Sequence, residues 1–424
     1  MIAEGRQEQE ELGQQLLQEL KRLWEAAGGM KDAEALEMAV QAWQRGMGRR
    51  VMEALCQEAI RRRQQQAPEC CQQRMDNQSL RPRTVKTLLG DVRVWRRYYR
   101  CLRCGRRLFA ADQWLGWKGD FSHRVQEAVA WQVSLLPYRQ ALENLSRLAG
   151  VELTVDAAES IVARWGKEEL SPAPYAERVK HDLVVQIDGA KAHLEEGWQE
   201  IKVGAFFSCD RRDPKAKPAA VSYVADWKSA QEFRQTLWQE ALVRGAFTAG
   251  AVAVVGDGAP WIWETASWLF PQAIQILDWY HLTEHLGVAA KVVYGERTPA
   301  ATALVEQWKT EVWEGRSEGV EEHLREFVAA RKDDKDNTLR KCADYLQTHQ
   351  ARLRYHLFRA AGWPIGSGVV EGACKHLVGL RFKRQSTRWT KAGARAVLHL
   401  RLDRLNGRWD ARGAHVRQQL RQAA

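Results

Sequence analysis

Asp188 closes the apolar run LVVQI, Asp257 closes the run AVAVVG, and a glycine follows each acid. Apolar strands fix the backbone, glycine leaves room, and an acid at the end of such a strand projects into the crevice where α/β sheets place their sites. A third acid, Glu371, lies in GSGVVEGACKHLVGLRFKRQSTRW (366–389), where Ser367 is placed to cap a helix carrying the glutamate in its first turns. Three hard oxygen ligands suit Mg²⁺ or Mn²⁺. Two such ions about 3.5–4 Å apart stabilise both the attacking and the leaving oxygen of an in-line displacement at a phosphodiester. Taken singly, each aspartate also reads as a turn or cap residue and Glu371 as a lone acid on a solvated helix. Their repetition in matching settings is what points to chemistry.

Cations follow the third acid closely. Lys375 lies one turn after Glu371, and Arg381, Lys383, Arg384 and Arg388 come next, so one segment joins a metal ligand to a phosphate-gripping tail. A second basic stretch covers residues 61–125, with 16 Lys/Arg against 5 Asp/Glu, an excess as large as the +11 of the whole chain. Arg96 and Arg97 sit there among Trp95, Tyr98, Tyr99 and Trp114, a mixture that suits a phosphate backbone and stacked bases. A solvated basic face would give the same counts. Cys101 and Cys104 form a C-x2-C pair resembling half of a zinc ribbon. Upstream stand only Cys70 and Cys71, and adjacent side chains rarely reach one metal, so zinc is a candidate for the knuckle against a metal-free, degenerate ribbon.

The elements that must position these residues form an α/β multidomain pattern. Leu12, Leu16, Leu17, Leu20 and Leu23, then Ala33 through Ile60, have helical spacing and read as a packing or dimerisation module over residues 1–66. Residues 67–120 form a zinc-ribbon-like β segment, with a hairpin of VKTLLG and DVRVWRRYYRC joined at Gly90-Asp91. Residues 121–172 are helical, and Thr154 is placed to cap a helix after the turn at Gly150, the outline of a helix-turn-helix. Pro172 and Pro174 mark a linker. Beyond it, strand signals at 181–194, 198–209, 219–227, 251–256 and 272–278, with helices at 229–245 and after Asp257, follow the order of an RNase H-like mixed sheet. That core occupies 178–286 and 360–410, and a helical insertion with the charged loop RKDDKDN (331–337) occupies 287–359. The cysteines show no disulfide-scaffold spacing and no apolar run reaches membrane-spanning length, so a cytoplasmic protein is expected.

The blocks LRPRTVKTLLGDVRVWRRYYRCLRCG (80–105), VVQIDGA (184–190), VVGDGAPWIW (254–263), LDWYHLTEHL (277–286) and the 366–389 segment together resemble bacterial insertion-sequence transposases of the ISKra family, relatives of Mutator-like DDE transposases. The resemblance runs from about 67 to 410. It implies an RNase H-like core with a DDE triad at Asp188, Asp257 and Glu371, 69 and 114 residues apart, and a helical insertion before the glutamate. Asp278 and His281 resemble the D-x2-H signature of Mutator-like enzymes and are accessory candidates, with His281 read either as orienting DNA or a catalytic aspartate beside the site or as capping the helix that begins there. The implied function is binding of element ends, cleavage and strand transfer with two Mg²⁺ or Mn²⁺ ions. The implied partner is double-stranded DNA, with a homo-oligomer forming on it and a bacterial, nucleoid-associated location. A domesticated, catalytically silent DNA-binding protein and a nuclease that cuts without joining are the competing readings.

Overall fold

Alternation and apolar runs decide which segments become strands, and both kinds occur in this chain. The computed structural model describes residues 14, 17–19, 21–25, 32–63, 67–171, 182–213, 217–330, 337–383 and 388–423. Leu12, Leu16 and Leu20, the linker prolines Pro172 and Pro174, residues 331–336 and Arg384 lie outside them. Two units are present, Met1–Ile161 with Gly413–Ala424, and Val162–Arg412.

In the first unit, helix α1 (Ala33–Arg63) precedes a short hairpin of β1 (Glu69–Cys70) and β2 (Gln73–Arg74), and then a three-stranded sheet of β3 (Asp76–Thr87), β4 (Gly90–Arg100) and β5 (Arg107–Leu108). Val92 and Val94 alternate inward on β4 and pack with Val85, Ala111 and Trp117 against Cys56 and Ile60 of α1. The same helix serves the edge of β4: Glu53 accepts from Arg93 N–H at 2.9 Å, and Gln57 accepts from Trp95 N–H at 2.8 Å and donates to its carbonyl at 3.1 Å. The hairpin turn differs from expectation. Thr87 pairs with Gly90, so Leu88 and Leu89 form the turn, and Gly90, at φ 106°, is already the first residue of β4. Helices α2 (Ala110–Leu115), α3 (His123–Leu135), α4 (Tyr138–Ala149) and α5 (Val155–Trp165) follow, and Thr154 caps α5 by accepting from Ala157 N–H.

The second unit is built on β6 (Asp182–Leu194), β7 (Gly197–Cys209), β8 (Ala219–Asp226), β9 (Val252–Gly256) and β10 (Ile274–Leu277), with α6 (Ala230–Val243) and α7 (Pro260–Leu269) between the later strands. Their order is β10-β9-β6-β7-β8, a mixed sheet in which β7 alone runs against the others. Leu183, Val184, Val185 and Ile187 of β6 are all fully buried, as in a central strand covered on both faces. Next come α8 (Trp279–Tyr294), α9 (Pro299–Trp313), α10 (Ser317–Ala330), α11 (Thr338–His349) and α12 (Tyr355–Ala360), so among the described residues of 287–359 the regular elements are helical. Helix α13 (Gly368–Ala373) opens into a π-helical stretch, Cys374–Gly379, and a last turn, Leu380–Phe382, before α14 (Lys391–Leu405) and α15 (Trp409–Ala423). None of the described helices is long and apolar enough to cross a membrane.

Candidate active site

The first two acids are neighbours because of strand register. Strands β6 and β9 pair in parallel up to Ile187 opposite Gly256, and the next residue on each is an aspartate, Asp188 and Asp257. Adjacent strands lie about 4.8 Å apart, so the two backbones present their acids side by side. Asp188 is not at the end of its strand, as the sequence led one to expect. Strand β6 continues to Leu194 as a hairpin with β7, and Asp188 marks where its parallel partner β9 stops.

Glu371 is brought to the same edge by a residue the sequence reading passed over. Gln186 is 1% exposed and lies two positions before Asp188, hence on the same face of β6. Its side-chain oxygen accepts from Val369 N–H at 3.1 Å and Val370 N–H at 3.0 Å, and its amide donates to Gly366 carbonyl at 2.9 Å. The first N–H groups of a helix have no partner inside it, so a strand residue caps the helix that carries Glu371. Ser367, expected to be that cap, makes no side-chain capping bond; its hydroxyl donates instead to Glu371 Oε1 at 2.6 Å. Asp278 completes the tie. Buried at the start of α8, it accepts from His281 N–H at 2.6 Å with one oxygen and from Ser367 N–H at 2.5 Å with the other. The cap of α8 is Asp278 and not His281, and the second oxygen of Asp278 also holds the segment leading into α13.

Each acid is fixed from behind. Asp188 accepts from Gly189 N–H at 2.6 Å and from the Cys374 thiol at 3.3 Å. Burial pushes its carboxyl above the usual range; those two hydrogen bonds oppose the shift, and the charges of Asp257 and Glu371 add to it. Asp257 accepts from Ala259 N–H at 3.0 Å, and its carbonyl accepts from Tyr345 of α11 at 2.7 Å. Gly258, at φ 100°, leaves the space that Tyr345 fills, since a Cβ there would come within 2.5 Å of the hydroxyl. His281 and His285 face each other at 3.3 Å beside that tyrosine, and burial lowers the His285 pKa.

The cations divide into two kinds. Lys375, Lys383, Arg388 and Arg97 are exposed. Arg381 is buried, with its guanidinium 4.6 Å from the centre of the Trp389 ring, and Arg96 shares Asp112 with Arg83 while covering the Phe109 ring. Both had been expected on a phosphate-binding surface; Arg381 is held in the interior against an aromatic ring, and Arg96 is half-buried, tied to an acid and a ring.

Two groups of metal-capable side chains have all their donor atoms within 4.8 Å of one another among the described residues, and neither is the acidic triad. One is Glu169, Asp226 and His399, where Lys228 already lies 3.5 Å from Glu169 and 3.1 Å from Asp226, so an ammonium supplies the positive charge. The other joins Cys101 and Cys104 to both Cys70 and Cys71, an adjacent pair of a kind that rarely reaches one point.

Residues 225–419 match the model of a family described as "Uncharacterised protein family (UPF0236)". Similar curated proteins from Caldanaerobacter subterraneus subsp. tengcongensis include UPF0236 protein TTE2489, 20% identical over 85% of this chain and 76% of its own length. Another, UPF0236 protein TTE0402, is 20% identical over 76% of this chain, which spans 64% of that relative. A third, named under eleven designations from TTE0033 to TTE2212, is 20% identical over 85% of this chain and 75% of its own length. Among solved structures, "CryoEM structure of simian T-cell lymphotropic virus intasome in complex with PP2A regulatory subunit B56 gamma" aligns at 12% identity over 45% of this chain and 60% of that one. Its TM-score of 0.16 is too low to carry an argument.

Proposed function

We propose that the chain is a DNA transposase of an insertion sequence, with an RNase H-like catalytic core and Asp188, Asp257 and Glu371 as its metal-binding acids. The observation that carries this reading is the convergence of the three acids on one sheet edge: two by the Ile187–Gly256 register and the third through Gln186, which caps the helix of Glu371. The sheet order β10-β9-β6-β7-β8, with β7 reversed, is the order expected of an RNase H-like core. The residue blocks resembling ISKra transposases contain all three acids, and a relative named under eleven designations in one organism fits an element present in many copies.

The acids fit divalent cations on their own chemistry. They are oxygen donors, their charges repel one another at Asp188, and the contacts of Asp188 among the described residues are the Gly189 N–H and the Cys374 thiol. Two Mg²⁺ or Mn²⁺ ions held there would stabilise charge at the attacking and leaving oxygens of a phosphodiester. The protein's part is preorganisation: Gly189 and Cys374 orient Asp188, Ser367 orients Glu371, and Tyr345 pins the backbone at Asp257. Exposed Lys375, Lys383 and Arg388 follow Glu371 and supply phosphate contacts, with Arg97 on the other unit as a further one.

The test is an in vitro reaction of the purified full chain with its own element's flanking ends and Mg²⁺ or Mn²⁺, scored for nicks and for joined products. Metal-dependent nicks and joined products support the proposal. Nicks without joining would make it a nuclease, and DNA binding without either product would make it a silent DNA-binding protein.

A further inference from the structure

We propose that Cys70, Cys71, Cys101 and Cys104 together hold one structural Zn²⁺, with the two adjacent cysteines both acting as ligands. In a tetrahedral thiolate site with Zn–S of about 2.3 Å, neighbouring sulfurs lie about 3.8 Å apart. Here the Cys70 sulfur is 3.6 Å from that of Cys104 and 3.9 Å from that of Cys71, and all four lie within 4.8 Å of one another. Two of the six edges thus match a zinc tetrahedron, and the others are short enough to close on one ion. A disulfide would need about 2.05 Å, and all four cysteines are free.

The backbone explains how adjacent residues do this. Along an extended strand Cys70 and Cys71 would point to opposite faces. Instead Cys70 pairs with Gln73, and the two residues between them, Cys71 at φ 52° and Gln72 at φ 63°, are both left-handed, a tight hairpin turn that rolls Cys71 back toward its neighbour. Hairpin turns of this kind normally use Asn or Gly. Two non-glycine residues are strained there, and such strain persists where something over-determines it, as four metal–sulfur bonds would.

The other half is a knuckle. Gly105 N–H donates to Cys101 carbonyl at 2.9 Å with Gly105 left-handed at φ 72°, which turns the chain back between Cys101 and Cys104. The Gln73 amide reaches the Cys101 sulfur at 3.9 Å. Binding releases four thiol protons and leaves a net charge of −2, against which Arg103 lies close, donating to Cys71 carbonyl at 3.5 Å. The metal would join the β1–β2 hairpin to the end of β4 beside a small cluster of buried Met75, Tyr99, Cys101 and Ala110 with Ala67, Leu108 and Trp114 packed against it.

The full chain, purified without chelators under reducing conditions, is assayed for metals by elemental analysis, and the cobalt-exchanged protein by visible absorption. One zinc per chain and the absorption of tetrahedral cobalt thiolate are expected. Cys71→Ser, Cys101→Ser and Cys104→Ser should each lose zinc, while Cys209→Ser, outside the cluster, keeps it. Full zinc retention in Cys71→Ser overturns the adjacent-ligand assignment. Stoichiometric iron, or a wild-type mass lower by two hydrogens from a disulfide, overturns zinc. Should the serine variants fail to fold, a wild-type chain free of zinc that takes up no cobalt refutes the site.

Discussion

Replacing Gln186 by leucine tests the geometry most directly, because it leaves every acid in place and removes only the tie between them. The leucine is of similar size, but it withdraws the acceptor from Val369 and Val370 N–H and the donor from Gly366 carbonyl. A net hydrogen bond is worth about 0.5–1.5 kcal/mol, and a buried group left unpaired costs about 1–3 kcal/mol. Val370 is buried, so its N–H falls in the costlier class, and a total loss of about 2–4 kcal/mol follows for the second unit. The kinetic effect is separable. Without its cap the first turn of α13 frays and Glu371 shifts, and a displacement of about 1 Å at a reacting centre costs on the order of 100-fold. Gln186→Glu retains an acceptor for both N–H groups but sets a buried carboxyl oxygen against the Gly366 carbonyl, so it should lose stability while retaining more cleavage than the leucine variant. Equilibrium denaturation gives the first quantity, metal-dependent cleavage the second, and DNA affinity should stay unchanged. A leucine variant within about 0.5 kcal/mol of the parent, the range of an ordinary surface change, and cleaving at the parental rate would refute the argument that Gln186 places Glu371.

Asp188→Asn, Asp257→Asn and Glu371→Gln should each cut cleavage by more than about 100-fold, since outer-shell partners of metals already cost about 10–100-fold, while filter binding shows DNA affinity retained; near-parental cleavage removes that residue from the ligand set. DNA binding by the full chain should weaken steeply with salt, with a log–log slope of about −0.9 per phosphate contacted, and salt-indifferent binding contradicts a phosphate interface. His349 is held down to about 4, by burial first and then by the Arg352 charge, against about 6.5 when unfolded. Only the unfolded chain takes up that proton between these values, so stability should fall as pH drops through the window. Denaturation at about pH 7 and about pH 5 measures the slope, which His349→Asn should flatten and which an unchanged profile in that variant would disprove.

The strands of the second unit were legible because LVVQI and AVAVVG are short apolar runs closed by Asp-Gly, a signal that needs no knowledge of the partner strand. The first eight residues of β3 were not, since DNQSLRPR is polar, contains Pro82 and is mostly exposed, so it carries no alternation to read. The two aspartates were visible as a repeated local pattern. What places Glu371 was visible only in part: a glutamine in an apolar strand demands partners, yet they lie 180 to 184 residues away and have no local signature. Arg96 and Arg381 look like any surface cation in sequence, because the acid and aromatic rings that hold them are set by tertiary packing. The convergence of Cys70 and Cys71 depends on two left-handed residues that no glycine or asparagine announces.

The contacts of α1 with β4 bear on how the chain can be cut and handled. Unpaired amides along a strand are templates on which another chain can add a strand, and proteins blunt such edges to stay monodisperse. In this protein the blunting is done by two helix side chains, Glu53 and Gln57, which occupy the amides of Arg93 and Trp95. Trp95 itself is 44% exposed, so the edge beneath the helix is sticky as well as unpaired. A fragment beginning at residue 67, the natural choice for isolating the basic sheet, would discard this cover and present a bare strand with an aromatic handle. Such a fragment would self-associate through β4, and apparent cooperativity in its DNA binding would then report edge-to-edge assembly instead of a property of the intact chain.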